Sequence, residues 1–87
     1  MARIRTIKPE FFKDVKLTKL SERARLLYIG LWTLADDNGI GPGNIYIIKS
    51  EIFPFDEDTS NTRRALDELI TNNRILFYTV SDEEYYY

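Results

Sequence analysis

Within one five-residue stretch stand Ser60, Asn61, Arg63 and Arg64, side chains of the kinds that read nucleic-acid bases when a helix presents them. An arginine can bond guanine O6 and N7 together, an asparagine can do the same for adenine, and a small hydroxyl can reach a phosphate. Asp58 or Thr59 just before them can cap a helix, so all four fall in its first turns, the part a recognition helix lays in the major groove. Arg3, Arg5, Lys8 and Lys49 are cations that can neutralise phosphates, and the segment before Pro9 can lie along a minor groove. The plain alternative for the two arginines is helix solubility. Arg63 stands four residues before Asp67, and Arg64 four before Glu68, a spacing whose ion pairs contribute about 0.2–0.5 kcal/mol each.

Other chemistry is poorly supplied. The chain has no cysteine and no histidine, which removes disulfides, thiolate metal sites and the commonest general base. Asp36-Asp37 and Asp56-Glu57-Asp58 lack the alternating ligand spacing and central glycine of a calcium loop, so they read as caps and solvated loops, and no metal or cofactor is expected. No glycine-rich phosphate cradle or nucleophile elbow occurs, and no enzymatic activity is expected. Phe11, Phe12, Tyr28 and Trp32 read as core before they read as a stacking platform.

The elements that must position the reading residues follow from periodicity and punctuation. Pro9 and Glu10 suit the start of a short turn over 9–14, with Phe11 and Phe12 docking on the body. Ser21 caps a long helix to Ala35, stopped by Asn38-Gly39, whose buried stripe is Leu20, Ala24, Leu27, Tyr28, Leu31, Leu34 and Ala35. Leu26, Ile29 and Trp32 make a second stripe, either covered by Phe11-Phe12 or left as an oligomer interface. A turn-rich loop with a short strand near Ile40 leads to Asn44, a cap. Ile45, Ile48 and Ile52 suit a helix ending before Pro54, although Ile45-Tyr46-Ile47-Ile48 also has strand propensity. A helix over 59–73 turns Leu66, Leu69 and Ile70 inward, with Thr62 and Asn73 extending that side, and Asn73 suits its left-handed end. Residues 75–87 read as a hairpin, with Ser81-Asp82-Glu83-Glu84 as the turn and the tyrosines as a closing edge. The order predicts a mainly α chain with a small β-hairpin: a winged helix-turn-helix, one domain over 1–87, with a basic arm at 1–8 and the wing at 75–87.

Length and charge fit this reading. Eighty-seven residues suffice for one core, burying roughly 60–65% of the unfolded surface. The longest apolar run, Leu26 to Ala35, is too short to span a bilayer, and no signal peptide is apparent. The net charge is −2, but residues 1–25 carry eight basic and three acidic side chains, against four and eleven in 26–87. A compact fold then has a positive face and a negative one.

Stretches along nearly the whole chain carry a family resemblance: the opening Ala2-Arg3-Ile4-Arg5-Thr6-Ile7-Lys8-Pro9-Glu10-Phe11-Phe12, then Leu20-Ser21, Ala24-Arg25-Leu26-Leu27-Tyr28-Ile29-Gly30-Leu31-Trp32-Thr33-Leu34-Ala35-Asp36, Ile48-Lys49-Ser50-Glu51-Ile52-Phe53-Pro54 and Leu66-Asp67-Glu68-Leu69. With them the chain resembles the N-terminal winged-helix domain of phage and prophage replication proteins of the replisome-organiser, DnaD-like type. The resemblance implies a module that binds double-stranded DNA or self-associates in the cytoplasm of a bacterial host. In that family a further C-terminal domain engages the replication machinery; these 87 residues are expected to be either an excised fragment or a free-standing module. The wing turn Asp82-Glu83-Glu84 also departs from the family's glycine and basic residue. These departures keep a second expectation open: a protein-binding winged helix acting as a homodimer, an adaptor, or an inhibitor of a host replication or defence protein.

Overall fold

Capping residues set the element boundaries along residues 6–87, the part of the chain described by the computed structural model. Pro9, at φ −55° and ψ −30°, leads into α1 (Glu10–Lys13). Asp14 breaks to extended backbone and caps a second turn, α2 (Val15–Thr18), its carboxylate accepting the Lys16 N–H at 2.9 Å. Ser21 caps α3 (Glu22–Leu34) as expected, accepting the Ala24 N–H at 3.1 Å. The stop is not the expected one. Ala35 turns extended, and the Asp36 carboxylate accepts the N–H groups of Asn38 and Ile40 at 2.8 and 3.0 Å, so Gly39 (φ +81°) serves this loop and not the helix end.

The loop delivers β1 (Gly41–Pro42), one residue past Ile40. Asn44 then caps α4 (Ile45–Ile52), its side-chain oxygen accepting the N–H groups of Tyr46 and Ile47 at 2.9 and 3.3 Å. That cap, with Ile45 and Ile48 buried on one side, overrides the strand propensity of the isoleucine run. Next come α5 (Ser60–Thr71) and two strands, β2 (Phe77–Val80) and β3 (Glu83–Tyr86). All pairing is antiparallel in the order β1-β3-β2, with Gly41 opposite Tyr86 and Phe77 opposite Tyr86 on its other side. The three longer helices α3, α4 and α5, a short strand between α3 and α4, and a hairpin returning its second strand to the sheet centre make a winged helix.

Two details of the wing differ from expectation. Its turn is only Ser81-Asp82, both at positive φ (50° and 66°), the mirror-type two-residue turn that matches strand twist. Glu83 and Glu84 are strand residues, opposite Val80 and Thr79. The tyrosine strand is also central and not an edge, because Gly41-Pro42 pairs on its far side.

The core gathers around α3. Ala24, Leu27 and Leu31 meet Ile48 of α4 and Ala65, Leu66 and Leu69 of α5, with Leu17, Leu20, Ile75 and Tyr86 closing the ends. Tyr28 and Leu34 of the expected stripe are half-buried, and Asn73 is exposed at the left-handed helix end (φ 59°) instead of extending the inner face of α5. Phe11 docks as foreseen, edge-on to Trp32 at 5.5 Å and tilted over Tyr28 at 6.3 Å. Phe12 does not dock: it is 63% exposed, since a four-residue helix can turn only one of two adjacent phenylalanines inward.

Thr62 is the one buried polar side chain of this core among the described residues, and its hydroxyl has no hydrogen-bond partner. An unsatisfied buried hydroxyl costs about 1–3 kcal/mol. Thr62→Val keeps the shape and the β-branch while removing that oxygen. Thermal unfolding of this variant is expected at a higher midpoint than the parent's, and a lower one would show that the hydroxyl is satisfied in solution.

Candidate nucleic-acid interface

The sequence around α5 fixes both its ends and its orientation. At the start, the Asp58 carboxylate accepts the Ser60 N–H at 3.0 Å and the Ser60 hydroxyl at 2.7 Å, while Thr59 makes no side-chain cap bond. These bonds, together with the nearby Lys49 ammonium, hold the Asp58 carboxyl below its ordinary pKa. At the finish, Asn73 N–H donates to Ile70 C=O at 3.1 Å and Arg74 N–H to Leu69 C=O at 2.9 Å, a Schellman closure around left-handed Asn73. Thr62, Ala65, Leu66 and Leu69 are buried, which rotates Ser60, Asn61, Arg63 and Arg64 outward; all four are exposed.

The two arginines do not form the expected pairs with Asp67 and Glu68. Among the described residues the ion pair found is elsewhere, between Arg23 and Asp56 at 2.9 Å. Glu68 is committed across the fold: its carboxylate accepts the Ser21 N–H at 2.9 Å and the Ser21 hydroxyl at 2.7 Å, tying the start of α3 to α5. The solubility reading of Arg64 therefore loses its partner.

Ser60, Asn61, Arg63 and Arg64 stand together in the first turns of α5. Lys49 lies in the last turn of α4, half-buried, on the helix that precedes α5. Lys8 is exposed ahead of α1, on the segment that packs through Phe11 against α3. Arg3 and Arg5 lie outside the described residues.

Acidic groups flank the same end, yet two of the three are occupied. Asp56 is bonded to Arg23, whose guanidinium also sits 4.6 Å over the Phe53 ring, and Asp58 serves the helix start. Arg23 is thus a structural cation, and sequence spacing gave no sign of it because its partner is 33 residues away. Asp82, Glu83 and Glu84 are all exposed on the wing.

The expected oligomer stripe is only partly open. Trp32 is half-buried, with Phe11 against it and Tyr28 at 5.1 Å; Ile29 is half-buried; Leu26 is 55% exposed. No protein-family model, curated protein or solved structure matches this chain.

Proposed function

We propose that this winged helix binds double-stranded DNA, with α5 as its recognition helix. The observation that carries the reading is the outward face of α5, where Arg63 and Arg64 stand exposed without an ion pair among the described residues, beside Ser60 and Asn61. Of the two carboxylates at helical pairing distance, Glu68 is spent on Ser21, and the exposed Asp67 makes no ion pair with either arginine. In this role Arg63, Arg64 and Asn61 read base edges, Ser60 and Lys49 contact phosphates, and the basic segment with Arg3, Arg5 and Lys8 adds charge along the backbone. The resemblance of the opening and of Gly30-Leu31-Trp32-Thr33-Leu34-Ala35-Asp36 to phage replisome-organiser proteins supports a role in replication initiation.

A mobility-shift titration on mixed duplex DNA at two salt concentrations tests this. Binding is expected at low salt, falling steeply as salt rises, because each neutralised phosphate releases counterions. No shift at low salt would end the reading.

The wing supports a second reading. Its three exposed carboxylates repel phosphate and suit a basic protein partner, as in an adaptor or inhibitor. Capture of a defined basic protein by the parent chain, lost in the triple amide variant Asp82→Asn/Glu83→Gln/Glu84→Gln, would favour that reading.

A further inference from the structure

β2 is an outer strand of the sheet, and the register shows which of its backbone groups are left over. Leu76 and Tyr87 exchange two hydrogen bonds: Leu76 N–H donates to Tyr87 C=O at 2.9 Å, and Tyr87 N–H to Leu76 C=O at 2.8 Å. Antiparallel pairs alternate between bonded and non-bonded. Tyr78 and Val80 therefore also turn their backbone groups toward β3, opposite Tyr85 and Glu83, while Phe77 and Thr79 turn theirs to the open edge.

That edge is four residues long and carries no blunting side chain. Residues 75–80, Ile-Leu-Phe-Tyr-Thr-Val, include no charge, proline or glycine, the devices that normally keep edge strands apart. The outer face beside it is apolar. Leu76 and Val80 are 61% and 53% exposed, on either side of Tyr78, which stacks on Tyr85 at 5.8 Å.

We propose that β2 is a self-association edge: two copies of the chain pair β2 antiparallel about a two-fold axis at Tyr78, joining two three-stranded sheets into one of six strands. The side chains of the outer face point to a second copy as the occupant: Leu76, Tyr78 and Val80 are uncharged and match one another across a two-fold axis. Directly opposed residues share a face of the sheet, so outer residues must meet outer ones. Centred on Tyr78, this sets Leu76 opposite Val80 of the other copy and covers both exposed side chains. It also sets Phe77 opposite Thr79, the two residues whose backbone groups are spare, so each such pair exchanges two hydrogen bonds. No like charges meet across the seam, and the isologous contact closes at the dimer. The argument is separate from the DNA reading, which rests on α5.

Sedimentation of the full chain from micromolar to millimolar concentration tests it. The mass is expected to rise toward two chains, with exchange of the Phe77 and Thr79 amides slowing in step by about tenfold or more. Thr79→Pro deletes an outward donor without removing a bond to β3, and Thr79→Lys charges the edge should proline disturb the hairpin. Both are expected to stay monomeric with unchanged circular dichroism, while Leu26→Lys, on the open face of α3, still associates. A monomer at every concentration, association that survives both Thr79 variants, or association lost in Leu26→Lys would each overturn the proposal.

Discussion

Adding one methyl group at Gly41 or at Gly43 is expected to destabilise the domain by about 1–3 kcal/mol, lowering the thermal midpoint by on the order of 10 °C. The two glycines flank Pro42 and let β1 lie against the central strand. A Cβ at Gly41 would stand within 2.5 Å of Tyr86 Cε2. That ring has nowhere to go: it is 2% exposed, and its hydroxyl donates to Leu31 C=O of α3 at 2.7 Å. At Gly43 the obstacle is backbone, with Glu84 C and Tyr85 N each 2.8 Å from the added atom and the Gly43 N–H donating to Glu84 C=O at 2.8 Å. The two cases separate in a double-mutant cycle. Removing the ring with Tyr86→Leu should make Gly41→Ala nearly neutral, whereas Gly43→Ala should keep its full cost because strand β3 remains. Additive effects for Gly41 and Tyr86 would show that the ring does not fill that space.

The features legible in the sequence are those written into a few consecutive residues. Ser21 and Asn44 cap where their types said they would, Asn73 takes the left-handed end of α5, and Ile45 and Ile48 face inward at helical spacing. Each depends on one side chain and the next turn of backbone, so local chemistry decides it. Features that depend on distant partners were not legible. Glu68 has Arg64 four residues before it, yet it bonds Ser21, 47 residues away, because packing α3 on α5 brings a helix cap within reach. Arg23 counts toward the basic N-terminal third, but Asp56 and Phe53 hold it. The polar run Ser81 to Glu84 concealed a two-residue turn, since strand residues on a solvated face are as polar as a loop. The central position of the tyrosine strand depends on Gly41-Pro42, more than 40 residues earlier in the chain.

The double variant Arg63→Ala/Arg64→Ala is expected to weaken DNA binding by on the order of a hundredfold while leaving the fold intact. Each arginine that bonds a guanine at two points supplies about 1–3 kcal/mol of discrimination. Stability should change little, because both side chains are exposed and neither forms an ion pair among the described residues. The salt dependence tells the two roles apart. If the arginines read bases, selectivity among sequences falls while the slope of affinity against salt stays nearly constant; if they bind phosphates, affinity falls uniformly and the slope shrinks by about 0.9 per lost contact. Lys49→Ala is expected to follow the phosphate pattern and to be the smaller effect, since it is half-buried and removes one cation where the double variant removes two. Reversing the wing with Asp82→Lys should then raise affinity wherever the turn approaches the backbone, because the parent carboxylate opposes that approach. Binding that is indifferent to the two arginines, yet sensitive to Asp82, would move the contact from α5 to the wing and remove the recognition-helix reading.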